Sequence, residues 1–180
     1  MKRMHTFVAY VEDLPGVLNR VSSLFRRRGF NIASLTVGRT DRQGVSRMTI
    51  MLEADDDTAR RLEANLYKLV NMLLVQDLTH EAAVARDLML VKVRADLTNR
   101  AQVMQLVEVF RARVVDVAPT TLMIEATGAG EKLEGFLEVL RPFGIVEMVR
   151  TGGIAMTRGA ESALDKLVDE PVESPKLAVS

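Results

Sequence analysis

Apolar residues recur along this chain at two spacings, one typical of strands and the other typical of helices. Residues 4–12 have the alternating pattern of a strand, and Asp13–Gly16 interrupts it. The apolar residues that follow share one face of a helix: Val17, Leu18, Val21, Leu24 and Phe25. This helix is predicted to end at Arg26–Arg28 before Gly29, because cations suit the negative end of a helix dipole and glycine ends helices readily.

The pattern continues with two strands, a helix and a further strand. Residues 31–37 and 45–53 predict a hairpin around a polar turn. The acidic segment Asp55–Thr58 predicts the start of a second helix, with an apolar face of Leu62, Leu66, Leu69 and Val70. Residues 72–78 predict a fourth strand. The order β-α-β-β-α-β is that of a ferredoxin-like domain.

The same order then appears a second time. Strands are predicted at residues 87–95, 114–118, 121–127 and 145–149. One helix is predicted to start at Thr98 or Asn99, and another is predicted at residues 131–143. The sequence therefore predicts an α+β protein with two ferredoxin-like βαββαβ domains in tandem. We place the domains at residues 1–80 and 87–158, with a linker at 81–86. Residues 159–180 have an acidic, proline-containing composition that predicts a flexible tail, with a short helix possible near 162–168.

Each predicted sheet has both of its helices on one side, which leaves the other side uncovered. We expect strand residues to supply apolar side chains to both faces of these sheets: Met48, Ile50, Leu52, Val91 and Val93. A second copy of the chain would cover the exposed face or the sheet edges, so a homodimer is expected.

Composition and charge exclude several classes of function. The 180 residues contain 24 Lys and Arg and 24 Asp and Glu, and this zero net charge is unusual for a general nucleic-acid binder. The absence of Cys excludes thiol nucleophiles and Cys-containing zinc sites, and two His cannot form a multi-histidine metal site. Aromatic residues are few, at 4%, for stacking on bases.

No segment has the pattern of a membrane span or a secretory signal. The apolar run at residues 69–76 is far shorter than the ~20 residues that a spanning helix needs. The N-terminus runs directly into the first predicted strand and has no small-residue cleavage pattern. We therefore expect a cytoplasmic protein.

The start of the first helix is the clearest candidate for a binding site. Pro15 costs no hydrogen bond at a first helical position, and Gly16 allows another group to approach the backbone closely. The N–H groups there are available to a small carboxylate. A plain strand-to-helix turn explains the same residues, so the ligand stays open at this point.

Other chemical motifs are weaker. The two His, the acidic run Asp55–Asp57 and the paired glycines lack the spacing of catalytic, metal-binding or phosphate-binding motifs. The Arg26–Arg28 run is expected to be a solvated helix end, with contact to phosphate or to an acidic partner as the alternative.

Long runs of this sequence resemble the small, regulatory subunit of acetolactate synthase (acetohydroxyacid synthase). In the first half these are VEDLPGVLNRV (11–21), LFRRRGFNI (24–32), SLTVG (34–38) and SRMTI (46–50). In the second half they are DLMLVKV (87–93), VVDV (114–117), IEATG (124–128), PFGI (142–145) and TRG (157–159). The resemblance covers about residues 3–159.

This resemblance implies a regulatory role rather than catalysis. Residues 1–80 would form an ACT domain, which senses ligands and pairs side by side in a dimer. The chain would bind the large catalytic subunit, which uses thiamine diphosphate, Mg²⁺ and FAD, and would raise its activity. It would also confer feedback inhibition by valine, or by leucine or isoleucine, in branched-chain amino-acid biosynthesis. The small subunit itself would bind no metal or cofactor.

The resemblance also implies an effector site. Gly16 and Val17 would offer backbone N–H groups to the valine carboxylate, Asp13 would meet its ammonium group, and Asn31 would come from the facing subunit. Leu18 and Ile32 are expected to contact its side chain. Asp13 departs from the asparagine often found in this position. An aspartate accepts hydrogen bonds but cannot donate them at neutral pH, so it should suit an ammonium and disfavour a carboxylate.

Three other functions compete with this interpretation. An ACT-type sensor of another enzyme would keep the Gly16 site but would leave the second-half matches unexplained. A ferredoxin-like nucleic-acid module would need aromatic residues in its central strands, and residues 46–51 have none. An acylphosphatase-type enzyme would need an arginine after the first strand, where the chain has Glu12–Pro15.

Overall fold

Six elements form the first half of the chain, in the predicted order. The structure, a computed structural model, describes residues 2–160 and 162–167. The elements are β1 (Arg3–Glu12), α1 (Val17–Arg28), β2 (Ile32–Arg39), β3 (Val45–Ala54), α2 (Asp56–Leu66) and β4 (Met72–Asp77). The antiparallel sheet has the strand order β2-β3-β1-β4. This is the ferredoxin-like arrangement that the sequence predicts.

The first helix ends where the sequence predicts, but it begins at Val17, so Pro15 lies in the turn before the helix and not at its first position. Val17, Val21, Leu24 and Phe25 are buried and form the face that packs on the sheet. Leu18, which was predicted on the same face, is 45% exposed. Gly29 has a φ of +71°, and its N–H donates to the carbonyl groups at the end of the helix. A glycine reaches this left-handed conformation without the strain that other residues meet there.

The second helix is shorter than predicted. It ends at Leu66, and Leu69 and Val70, which were expected on its apolar face, lie in the following turn. The hydroxyl of Tyr67 bonds to both the N–H and the carbonyl of Val75, and so holds the end of the helix beside β4. Leu69 still packs against the core, whereas Val70 is 87% exposed.

The prediction that Met48, Ile50, Leu52, Val91 and Val93 supply apolar side chains to both faces of the sheets is wrong. Met48, Ile50 and Leu52 all belong to the core under the helices, as do Val91 and Val93 in the second half. The reason is the two-residue period of a strand, which gives residues two positions apart the same face.

The other face of the first sheet is not left open along its middle strands. Val8, Tyr10 and Thr49 lie on that face and are at most 7% exposed. The guanidinium of Arg47, which pairs with Tyr10 across the strands, donates to the carbonyl of Ala155. A second copy is therefore not needed to cover these residues.

Seven elements follow in the second half. They are β5 (Ala83–Arg94), α3 (Arg100–Val109), β6 (Arg113–Val117), β7 (Thr121–Gly128), α4 (Gly130–Leu140), β8 (Ile145–Arg150) and β9 (Ile154–Thr157). The sheet order is β6-β7-β5-β8, and β9 also pairs with β5. Its core contains buried residues from both helices, such as Val103 and Phe136. The predicted order is therefore found again, with β9 as an addition that was not predicted.

The boundaries between the parts differ from those expected. The predicted linker at 81–86 is largely strand, because β5 begins at Ala83. The chain divides into one unit up to Val84 and from Ala155 onward, and a second unit from Ala85 to Ile154. Residues 155–158, which were expected in the second domain, therefore belong with the first unit. Within that unit the N–H of Arg158 donates to the carbonyl of Ala82.

The start of the predicted acidic tail is structured. Ala163–Leu167 forms a 3₁₀ helix, and Leu164 is only 9% exposed. The remainder of the predicted tail, residues 168–180, lies outside the described residues, as does Glu161. Among the helices that the structure describes, none is long and apolar enough to cross a membrane.

Candidate effector-binding site

The loop between β1 and α1 brings the predicted site residues beside the hairpin turn between β2 and β3. The N–H of Asp13 donates to the carbonyl of Gly44 at 2.8 Å, and the N–H of Leu14 donates to the carbonyl of Glu12 at 2.9 Å. These bonds fix the backbone as it leaves the sheet. Asp13 and Gly16 therefore lie at the edge where β1 and β2 end.

The carboxylate of Asp13 is held in place but keeps room for a ligand. The hydroxyl of Ser46 donates to Oδ1 of Asp13 at 3.1 Å, and Nε of Arg39 lies 3.6 Å from Oδ2. The Arg39 side chain is 88% exposed, so this ion pair is weak. A carboxylate has about four acceptor positions, so Asp13 can still accept hydrogen bonds from an ammonium group.

The start of α1 is formed by Gly16 and has no capping side chain. Gly16 has a φ of +86° and occupies the N-cap, where no side chain caps the helix and the first turn contains no acidic residue. The first N–H groups of a helix have no partner within it, and the helix dipole makes this end positive. A Cβ built on Gly16 meets no atom within 4 Å. This end of the helix is therefore open to an approaching carboxylate.

The apolar residues at this end differ in how accessible they are. The side chain of Val17 is buried in the core, and its N–H donates to the carbonyl of Leu14 at 3.4 Å, so the donor predicted for the ligand already has a partner within the loop. Leu18 is 45% exposed and is accessible, as predicted for a residue that contacts the side chain of a ligand. Leu14 is 40% exposed and was missed, although its position between Asp13 and Gly16 in the sequence was a usable signal.

Asn31 and Ile32 lie at the opposite end of the same unit. Ile32 pairs with Leu52, which pairs with His5, whereas Asp13 follows Glu12 at the other end of β1. The seven residue-to-residue steps from His5 to Glu12 span about 23 Å at the rise of a β-strand. One chain therefore brings Asp13, Gly16, Val17 and Leu18 together, but not Asn31 and Ile32 with them.

The groups with shifted pKa values lie outside this site. A hydrogen bond from the backbone N–H of Thr58 lowers the pKa of Asp55, which caps α2. A hydrogen bond from the Thr98 hydroxyl lowers the pKa of Asp96 in the same way. Burial, and secondarily the charge of Asp77, raises the pKa of Glu63. The two shifts toward lower pKa follow from turn and helix-cap geometry and indicate no catalytic group.

The neighbours of the two histidines also indicate a structural role and no catalytic one. His5 is 1% exposed, and its Nδ1 lies 3.3 Å from the Asp77 carboxylate and 3.1 Å from the Thr79 hydroxyl. His80 lies on the surface. Across the residues that the structure describes, no group of three or more His, Asp or Glu side chains is arranged to hold a metal ion.

Both halves of the chain match known families. Residues 7–74 match the family described as the AHAS small subunit-like ACT domain. Residues 86–159 match the family described as the small subunit of acetolactate synthase. The second match accounts for the half of the chain that carries none of the predicted site residues.

Individual proteins are similar over most of the chain. The acetolactate synthase small subunit of Mycolicibacterium smegmatis is 49% identical over 155 residues, which are 86% of this chain and 91% of that protein. The probable acetolactate synthase small subunit of Archaeoglobus fulgidus is 46% identical over 155 residues, 86% of this chain and 97% of that protein. The crystal structure of the small subunit from Thermotoga maritima superposes with a TM-score of 0.81 at 40% identity. It covers 88% of this chain and 99% of that chain.

Proposed function

The chain belongs to the acetolactate synthase small subunit family, and on this premise we propose that it regulates a catalytic large subunit. It binds that subunit, raises its activity and makes the activity sensitive to valine. The chain itself performs no catalysis, and the thiamine diphosphate, Mg²⁺ and FAD of the reaction belong to the large subunit.

The observation that carries the valine site is the open, uncapped start of α1. Gly16 presents its backbone without a side chain, and the helix dipole favours an anion there. Asp13, held by Ser46, supplies a negative charge a few residues away. A free amino acid carries both an ammonium and a carboxylate, so these two groups of the chain are complementary to it.

The side chain of the ligand then determines which amino acid is preferred. Leu14 and Leu18 are the exposed apolar residues beside Gly16. They suit a branched aliphatic side chain. Valine, leucine and isoleucine differ by about one methylene, which is worth only ~1–3 kcal/mol of discrimination, so related branched-chain amino acids bind the same site more weakly.

The separation of Gly16 from Asn31 supports a homodimer. β2 is an edge strand, and Val37 on it is 43% exposed. If two copies pair through this edge about a two-fold axis, the start of β2 in one copy meets the end of β2 in the other. Asn31 and Ile32 of one copy then approach Asp13 and Gly16 of its partner. The effector site is therefore formed by two chains, as the family resemblance implies.

An ACT-type sensor of a different enzyme would also have a site of this kind. The match of residues 86–159 to the acetolactate synthase small subunit family favours acetolactate synthase over such an enzyme. The experiment that tests the proposed function is reconstitution with the large subunit from the same source. We expect the two proteins to co-purify and the rate of acetolactate formation to rise on mixing. No complex and no change in rate would refute the proposal.

A further inference from the structure

One side of α1 forms a basic cleft away from the effector site. One wall of the cleft is formed by five residues of α1 that lie on a single helical face: Asn19, Arg20, Ser23, Arg26 and Arg27. The turn after α2, at Lys68–Val70, forms the opposite wall. The cleft is open and has a volume of about 600 Å³. It lies entirely within the first unit.

Among the described residues that line the basic cleft, four are cations and none is acidic. Arg20, Arg26, Arg27 and Lys68 line it. No ion pair within 4.0 Å joins any of them to a carboxylate of the described residues. Compensation of the helix dipole accounts for arginines in the last turn of α1, but not for Arg20 or for Lys68. Cations gathered in this way create a positive potential that an acidic surface would neutralise.

Arg20 is held in a fixed position. Its guanidinium donates to the side-chain oxygen of Asn71, which is 8% exposed. The amide nitrogen of Asn71 in turn donates to the carboxylate of Glu12, and the N–H of Glu12 donates to the carbonyl of Asn71 at 3.0 Å. A cation held in place loses less side-chain entropy on binding than a mobile one. This network also connects the basic cleft to the residue that precedes Asp13.

An exposed apolar side chain lies on the same surface. Val70 is 87% exposed, and Leu69 beside it packs against the core. An apolar residue surrounded by charged ones is typical of a protein interface, where the centre is dry and the rim is polar.

Other anions fit the basic cleft less well. No aromatic residue lines it, and the formal net charge of the chain is zero, which disfavours a nucleic acid. The helix end that borders it is the C-terminal end of α1, whose carbonyl groups disfavour a small, compact anion such as phosphate. Carboxylates spread over a protein surface can reach the tips of the arginine side chains instead.

We propose that the basic cleft docks onto an acidic patch of the catalytic large subunit. This inference rests on the proposed function, because that function supplies the partner. Val70 contacts the centre of the interface, and the four cations form its rim. The connection through Asn71 joins the docking surface to Glu12, the residue that directly precedes Asp13 of the effector site.

The test measures the affinity of the full chain for the large subunit at two salt concentrations. The variant Arg26→Glu/Arg27→Glu reverses two charges in the basic cleft, and Arg60→Glu/Arg61→Glu makes the same change of charge on α2, outside it. We expect the first to weaken binding by at least about tenfold and the second by less than about twofold. Binding of the unaltered chain should weaken between 50 and 200 mM salt, because salt screens exposed charges.

A second variant, Val70→Ser, removes the apolar contact without changing charge and is also expected to weaken binding. Circular dichroism and melting temperature check that each variant is folded. Unchanged affinity in both Arg26→Glu/Arg27→Glu and Val70→Ser would overturn the inference and leave the proposed function intact. Binding of inorganic phosphate to the chain, together with unchanged affinity for the large subunit, would assign the basic cleft to a small anion and overturn it too. If the unaltered chain does not bind the large subunit, the inference and the proposed function both fail.

Discussion

The hydroxyl of Ser46 donates a hydrogen bond to the carboxylate of Asp13 at 3.1 Å, between the start of β3 and the loop that leads into α1. Ser46 is 6% exposed, so this bond is shielded from water on one side. The bond orients the carboxylate of Asp13, whereas a plain strand-to-helix turn would leave this side chain free to rotate. Asp13 can therefore receive the ammonium of an amino acid whose carboxylate lies on the first turn of α1.

Replacing Gly16 with aspartate should abolish inhibition by valine and leave activation of the large subunit largely intact. A carboxylate at the start of α1 would repel the carboxylate of the ligand. Gly16→Ala is the matched control, because it introduces the same strain at a φ of +86° without the charge. The strain costs about 1–2 kcal/mol, so both variants should melt at lower temperatures than the parent protein. Gly16→Ala should keep part of the inhibition. Valine inhibition that persists unchanged in Gly16→Asp would show that the ligand binds elsewhere.

Mixed dimers test whether two chains form one effector site. Chains carrying Gly16→Asp and chains carrying Asn31→Ala should each be insensitive to valine on their own. In a mixed dimer, one site combines the unaltered Gly16 of one chain with the unaltered Asn31 of the other. Unfolding and refolding the two variants together should give about half mixed dimers and restore part of the valine inhibition.

The control for this experiment is each variant refolded alone, which should stay insensitive. If a single chain supplied both residues, every site in a mixed dimer would carry one substitution. The mixture would then show no recovery of inhibition, and the two-chain site would have to be abandoned.

Deleting residues 160–180 should destabilise the protein. The deletion removes Leu164, whose side chain is only 9% exposed, and burial of a leucine contributes about 1.5–3 kcal/mol. For a chain of this length we expect the melting temperature to fall by about 3–12 °C. Deletion of 168–180 alone is the control and should leave the melting temperature unchanged. Equal melting temperatures for both truncated proteins would contradict the contact that Leu164 makes.

Replacing Glu63 with glutamine should stabilise the protein near neutral pH. Burial and the charge of Asp77 raise the pKa of Glu63, so its ionised form is less favourable in the folded state than in the unfolded chain. The stability associated with the protonated carboxyl is present at acidic pH and lost as the pH rises through its pKa in the folded state. Glu63→Gln should therefore melt slightly higher than the parent protein at pH 7. At pH 3.5 the two should melt together, and a gain of the same size at both pH values would exclude this cause.

Local signals in the sequence were sufficient to predict most elements of the fold. The bounds of α1 follow from a glycine at each end and from arginines in its last turn, and the structure matches them. The end of α2 could not be placed in this way, because residues 67–72, which follow Leu66, include no glycine or proline. The contact of the Tyr67 hydroxyl with Val75 in β4 holds that end, and a side-chain bond across the turn is not marked by any helix-ending residue type.

Long-range pairing explains the other errors. β9 has only four residues, and its place beside β5 depends on contacts about 70 residues away along the chain. Leu164 was assigned to a flexible tail because the composition around it is acidic, yet it is buried. The contiguous half of the site, Asp13–Leu18, was visible in the sequence. The bond from Ser46 to Asp13 joins residues 33 positions apart and required the three-dimensional arrangement of the loop.

The most direct test of the central claim is the rate of acetolactate formation by the large subunit, measured alone, with this chain added, and with valine titrated into the mixture. The account predicts that the rate rises when the chain is added and falls as valine is added. A rate that rises but does not respond to valine at any concentration would contradict the effector site at Gly16. A rate that does not change on mixing would contradict the regulatory role itself.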